Sequence, residues 1–243
     1  MARLLAVMKS IFCLSLLVML TAQLGCGSKV ADVLSKYEGD FKKKREQFQA
    51  IAHALPPKAA EKPCASMNPP IAFNESTKRY NTEIIMFEQL LDPDAKPAFD
   101  MAPQGELLTA MRWTGPKNPL SPSVLNNRAE RDMEKSLQAA LDYRYLIVNR
   151  VADLKNPNAV DEKTYTPGRA TIDVFVVNLA NNEILCSFTL QAQSAQDVSY
   201  YYKSGESKQQ RLEDFAHSTM WEDARQKLIA KLKQMAGGAI EIK

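Results

Sequence analysis

The chain has 243 residues and a formal net charge of +3. Arg3 and Lys9 are the only charged residues among positions 1–25, and the rest of the chain has 29 basic against 28 acidic side chains. This balance excludes the strong basic excess that is typical of nucleic-acid-binding domains, so we expect no nucleic-acid partner. The length suits one domain of about 100–200 residues with an N-terminal extension.

Residues 1–25 have the order of a secretory signal peptide, with basic residues first, an apolar run next and small residues last. The apolar run from Ile11 to Ala22 is shorter than the ~20 residues that a membrane-spanning helix requires. The pattern is also complete when it is read from Met8, which leaves both Met1 and Met8 open as the start. We predict that residues 1–25 direct export and are then removed.

The end of this segment, Gln-Leu-Gly-Cys at 23–26, resembles the lipobox of bacterial lipoproteins. Gly25 and Cys26 match the pattern of that family, whereas Gln23 stands where the family usually has leucine. The resemblance implies that Cys26 is diacylated on sulfur, becomes the mature N-terminus and attaches the protein to a membrane. Because Gly27 rather than aspartate follows, it also implies a lipid-anchored protein of the bacterial cell envelope, at the outer membrane and facing the periplasm.

Residues 26–73 are predicted to form a lipidated tether, made of an amphipathic helix and a proline-rich linker. The linker begins at Pro56. The basic run FKKKREQF, residues 41–48, is either a solvated helix face or a contact for anionic headgroups or cell-wall carboxylates. The helix is indicated by apolar residues at helical spacing, which are Val30, Val33, Leu34, Tyr37, Phe41, Phe48, Ile51, Ala52 and Leu55.

Residues 74–243 are predicted to form a globular α+β domain. Two β-rich runs flank Asn181-Asn182, and asparagine tolerates the backbone of tight turns, so these runs predict a hairpin. Ser207 and Gln210 have the spacing of a capping box at the start of the last helix. The predicted elements are, in chain order, a helix from Tyr80 to Leu91 that stops at Asp92-Pro93, a strand in GELLTAMRWTG (105–115), a helix from Pro122 to Leu141, the strand YRYLIVNRV (143–151), the hairpin, and a helix from Ser207 to Met235.

This order predicts an antiparallel sheet, built from one strand and a hairpin, with two helices packed on one of its faces. The order is similar to that of the small α/β domains of several outer-membrane assembly lipoproteins, including penicillin-binding-protein activators. That resemblance rests on topology and on no diagnostic motif.

Two further cysteines, Cys64 and Cys186, remain if Cys26 receives lipid. In an oxidising compartment an even pair favours a disulfide. The alternation of apolar residues around Cys186 is equally typical of a buried thiol on a strand.

Three consecutive tyrosines, Tyr200, Tyr201 and Tyr202, follow the hairpin. In extended chain at least one of the rings faces outward, and exposed tyrosine is common at binding hot spots. The stretch is therefore either an interaction surface or the end of a strand with one ring in the core.

Catalytic motifs are missing from the sequence. His53 and His217 are the only histidines, and no HExxH, paired-cysteine or GxSxG pattern occurs, so we predict no metal, no cofactor and no enzymatic activity. Our first hypothesis is a non-enzymatic envelope lipoprotein that acts as an accessory or scaffold for another envelope protein. The alternative is a ligand-binding or cell-wall-acting protein with an unrecognised site.

Overall fold

The computed structural model describes residues 29–65, 67–74, 79–97, 105–117, 130–197, 205, 207–236 and 240–241. The elements are α1 (Lys29–Ala54), β1 (Ile71–Asn74), β2 (Arg79–Tyr80), β3 (Thr82–Met86), α2 (Phe87–Leu91), α3 (Glu106–Trp113), α4 (Glu130–Leu141), β4 (Tyr145–Lys155), β5 (Asn158–Ala159), β6 (Tyr165–Thr166), β7 (Arg169–Asn178), β8 (Glu183–Gln193), α5 (Lys208–Met235) and β9 (Ile240–Glu241). The α+β class is confirmed.

The main sheet has four strands in the order β3-β4-β7-β8. β4, β7 and β8 are antiparallel, as predicted, and β7 and β8 form the hairpin around Asn181-Asn182. Asn182 has φ 60°, the left-handed conformation that asparagine tolerates in turns. The sheet as a whole is mixed, because β3 pairs in parallel with the first half of β4. Two small sheets, β2-β1-β9 and β5-β6, complete the described strands.

Helices cover both faces of the sheet, which corrects the prediction that both packed on one face. On the first face α1, α3 and α4 form a core with Val148, Phe175 and other residues of the sheet. On the second face α5 packs against residues that alternate with these, such as Ile147 and Val174. β7 is buried at six consecutive residues, 172–177, because both of its sides are covered.

Two predicted elements are wrong. The helix expected from Tyr80 to Leu91 is β3 followed by the short α2, because residues 82–86 gain backbone pairing along the edge of β4. Its predicted end before Asp92-Pro93 is confirmed. The strand expected in residues 105–115 is α3, whose buried residues share one helical face, and these are Leu107, Leu108, Ala110 and Met111. The predicted start of α4 at Pro122 lies outside the described residues.

The predicted tether over 26–73 is corrected for its described residues, 29–65 and 67–73. Phe41 and Phe48 of α1 are completely buried in the first core. After α1 the chain follows the outer edge of β8, where the backbone of Lys62 pairs with Ser187 and Ala65 N–H donates to the Leu185 carbonyl. The proline-rich segment therefore lies on the domain, and the globular unit includes α1 instead of beginning at residue 74.

Candidate functional site

The predicted lipid acceptor, Cys26, lies outside the described residues, and α1 begins three residues later. Val30 is only 2% exposed and belongs to the first core. A chain spans at most about 3.6 Å per residue, so roughly 14 Å separates the α-carbons of residues 26 and 30 at full extension. Any lipid on Cys26 is therefore attached close to the folded domain.

α1 and α4 run in parallel, so their N-terminal ends lie at the same end of the domain. Tyr37 of α1 contacts Glu134 and Gln138 of α4, and further along both helices Lys44 and Leu141 line the same cavity. The first described turns of α1 and α4 therefore lie at the same end of the domain, which is the end that follows Cys26.

Cys64 and Cys186 are joined by a disulfide in the structure, with their α-carbons 4.2 Å apart. Cys186 is completely buried on the second face of the sheet, and Cys64 packs against the same core. The bond ties the segment after α1 to β8, beside the backbone pairing of Lys62 with Ser187. Cys186 is therefore a buried core residue on a strand, as one interpretation required, and it also forms a disulfide, as the other required.

Tyr200, Tyr201 and Tyr202 lie outside the described residues, so the interaction surface predicted there stays a prediction. Ser207, which follows, caps α5 by accepting a hydrogen bond from Gln210 N–H. This start of α5 agrees with the capping-box spacing.

Glu83 of β3 is a buried acid that the sequence analysis did not single out. It is 5% exposed, and its two carboxylate oxygens accept hydrogen bonds from Leu107 N–H (2.7 Å) and Leu108 N–H (3.1 Å) at the start of α3. Desolvation raises the pKa of Glu83 to about 7, although the two backbone hydrogen bonds act in the opposite direction. Gly105 leaves room for this carboxyl group, since a Cβ at that position would lie 2.1 Å from it.

A second carboxylate and a tyrosine surround Glu83. Glu106 Oε2 lies 3.0 Å from Arg79 Nε in an ion pair, and that oxygen has no hydrogen bond of good geometry within the described part of the chain. Burial, followed by the charges of Glu83 and Glu106, raises the pKa of the Tyr143 hydroxyl. The group is thus two carboxylates, a neutral phenol and an arginine around the start of α3.

This acidic group has the geometry of a structural cap. Glu83 uses both oxygens on backbone amides of α3, and it lines none of the described cavities. A general acid has to reach a bound substrate directly or through one water. A signal for Glu83 does exist in the sequence, because this acid directly precedes the apolar residues of the run TEIIM.

Another polar group crosses the first face of the sheet. Asp173 is 1% exposed and accepts hydrogen bonds from Arg150 (3.2 Å) and from Thr189 (2.9 Å). The Arg150 guanidinium also donates to the Pro56 carbonyl and stacks over Phe175. The arginine thereby fixes the chain where it leaves α1, which makes a structural role the best account of this group.

The basic residues of the run FKKKREQF have different surroundings in the folded domain. Lys42 and Lys43 are exposed, as a solvated face requires. Arg45 donates to the Met111 carbonyl (3.1 Å) and to Thr114 Oγ1 (3.3 Å), which attaches α1 to the end of α3. Lys44 is half-buried and lines a cavity of about 310 Å³ that Arg144 also lines.

The histidines are not brought together by the fold. His53 is exposed near the end of α1, and His217 of α5 contacts Asn156 at 3.1 Å. Across the described ranges, no three histidine, cysteine or acidic side chains are grouped as a metal site. None of the helices in those ranges combines the length and the apolar character needed to cross a membrane.

Comparison with protein-family models and with curated proteins finds no match to this chain. Its function is therefore argued from its own residues.

Proposed function

We propose that the chain is a non-enzymatic lipoprotein of the bacterial envelope, anchored through Cys26 and acting as an accessory or scaffold for another envelope protein. The signal-peptide pattern and the lipobox resemblance motivate the anchor, the outer membrane and the periplasmic orientation. The observation that carries the proposal is the burial of Val30, because it leaves only three residues between an acylated Cys26 and the core.

A short connection of this kind suits a protein that presents a surface at a fixed height above a membrane. Two or three acyl chains bury enough methylenes to hold a protein there almost permanently, at about 0.8 kcal/mol for each. A diffusing enzyme gains little from such a constraint, whereas a scaffold depends on it.

The alternative, a cell-wall-acting enzyme, is favoured by one observation, the neighbouring carboxyl groups of Glu83 and Glu106. Enzymes that cleave glycosidic bonds commonly use two such groups. However, the two oxygens of Glu83 are occupied by backbone amides. We therefore place this function second.

The anchor is tested by palmitate labelling in the native host. Cys26→Ser should abolish labelling and leave an uncleaved precursor, because the acyl chains are carried on sulfur. Cys13→Ser is the matched control, since it removes a thiol from the signal peptide and should leave labelling and cleavage unchanged. Labelling that persists in Cys26→Ser would overturn the anchor.

The scaffold role is tested by pull-down from detergent-solubilised membranes after chemical cross-linking. We expect the wild-type chain to recover one envelope protein in stoichiometric amount, and the unprocessed Cys26→Ser variant to recover much less. Repeated recovery of the chain alone would contradict the scaffold role. Turnover of purified cell-wall material that is lost in Glu83→Gln would support the enzyme instead.

A further inference from the structure

A groove lies between α1 and the turn that joins α4 to β4. It consists of two adjoining cavities of about 310 and 660 Å³, and both are lined by Lys44 and Leu141. We call the smaller one the Lys44 cleft, and its lining residues are Lys44, Leu141, Asp142, Tyr143, Arg144, Leu179 and Ala180. Its volume is at the lower end of the range for small-molecule sites, about 300–1,000 Å³.

Lys44 is a partly desolvated cation that has no acidic partner among the residues the structure describes. Burial alone lowers the pKa of Lys44, and its polar contact is a neutral one, to Gln47 Oε1 at 3.1 Å. Other lysines behave differently, since Lys36 pairs with Glu134 and Lys231 with Glu61. A half-buried ammonium group that no described acid balances is costly unless an anion neutralises it.

Arg144 supplies a second cation on a fixed backbone. Its N–H donates to the Asn81 carbonyl (2.9 Å), and its own carbonyl accepts from Leu179 N–H (2.8 Å). The side chain is exposed and forms no ion pair within the part of the chain that the structure describes. The backbone at Arg144 is thus fixed at the cleft, and its exposed guanidinium can offer two parallel donors to a carboxylate or a phosphate.

Acidic side chains limit what the groove accepts. Asp142 also lines the Lys44 cleft but forms no ion pair with Lys44 or Arg144 among the described residues, and Asp40 and Glu46 line the larger cavity together with Lys43. These carboxylates would repel a polyanion that extends along α1. The charge pattern therefore suits one small oxyanion group.

We propose that the Lys44 cleft binds a single oxyanion, the carboxylate or phosphate group of a small ligand, between Lys44 and Arg144. The site is a property of the folded domain and does not depend on lipidation of Cys26. Lys44 lies fifteen residues beyond Lys29, or roughly 22 Å along α1, so the ligand is bound away from the anchored end of the helix.

The test is an NMR titration of the mature chain in detergent micelles with sodium phosphate and, separately, with sodium acetate. Chloride keeps the ionic strength constant. We expect saturable shifts at Lys44 and Arg144 with at least one of the two anions, and a rise in the pKa of Lys44 when that anion is bound. Tighter binding of phosphate than of acetate would identify a phosphate ligand, and the reverse order would identify a carboxylate.

Three variants make the test specific. Lys44→Gln and Arg144→Gln should each weaken binding about 10- to 150-fold, since a charge-assisted hydrogen bond contributes about 1.5–3 kcal/mol. Lys42→Gln is the matched control, because it removes the same charge from an exposed position of α1 and should leave binding unchanged. A wild-type chain without saturable shifts, or equal weakening by Lys42→Gln and Lys44→Gln, would overturn the proposal. Thermal unfolding of each variant checks that the fold is intact.

Discussion

The two faces of the main sheet bury polar groups in different ways. On the first face, the carboxylates of Glu83 and Asp173 both accept hydrogen bonds from other elements, namely α3, β4 and β8. On the second face, the amide of Asn149 is completely buried and has no hydrogen-bond partner among the described residues. The first face is assembled from three helices and the second from one, and both buried acids of the described residues lie on the first, where they join separate elements.

The largest expected effect is on the first face. Asp173→Ala should lower the free energy of unfolding by about 3–5 kcal/mol, because it leaves the mostly buried guanidinium of Arg150 without its acid. Asp153→Ala, which removes an exposed acid from β4, should change it by less than about 0.5 kcal/mol. Urea denaturation measures both values. Equal losses of stability in the two variants would mean that the Arg150–Asp173 pair does not help to hold the first face together.

The stability of the second face depends on the Cys64–Cys186 disulfide as well as on apolar packing. Replacing Cys64 and Cys186 together by alanine should lower the free energy of unfolding by about 2–4 kcal/mol, because the bond closes a loop with a sequence separation of 122 residues. A reducing agent should destabilise the wild-type chain similarly and leave the double variant unchanged. Two free thiols in the exported wild-type protein, counted by mass spectrometry, would contradict the bond.

Glu83 makes the stability of the first face depend on pH. Its pKa is raised from 4.5 to about 7 in the folded protein, so the folded state holds the proton more tightly than the unfolded state. The contribution is fully present below pH 4.5 and is lost as the pH rises through 7, by up to about 3 kcal/mol. Glu83→Gln should flatten the stability profile between pH 5 and 8.

The matched variant for this profile is Glu88→Gln, an exposed glutamate at the start of α2. It should leave the pH dependence of unfolding as in the wild type. If the wild-type chain instead gains stability from pH 5 to 8 and Glu83→Gln removes that gain, the carboxylate is stabilised by α3 more than it is penalised by burial.

A smaller effect, of opposite sign, is expected on the second face. Asn149→Leu should raise the free energy of unfolding by about 1–2 kcal/mol, because it replaces a buried amide that has no partner in the described part of the chain with an apolar side chain of similar size. Asn149 pairs across the sheet with Val174, whose surroundings are apolar. A loss of stability in Asn149→Leu would show that the amide is satisfied, for example by a buried water.

The sequence predicts best those elements whose signals are local. The hairpin follows from Asn181-Asn182, the start of α5 follows from the Ser207 cap, and the buried stripe of α1 follows from its helical spacing. Whether residues 82–86 form a strand or a helix is not decided locally, because the strand depends on pairing with residues 145–149 about sixty positions later. The Lys44 cleft brings together Lys44 and Arg144, which are 100 positions apart in the sequence. Helical spacing does not indicate that two such distant residues line the same cavity.

The central claim, that the domain is held close to its lipid by α1 without a flexible tether, is tested most directly by membrane-depth fluorescence. A dye on a cysteine introduced at the exposed Asp32 would sit on the first turns of α1, and the Cys64–Cys186 bond leaves that thiol free for specific labelling. In vesicles with headgroup quenchers, we predict strong quenching in the lipidated chain and almost none in a Cys26→Ser chain that lacks residues 1–25, because that chain has neither the lipid nor the apolar signal segment. Equal, weak quenching in both would contradict the claim.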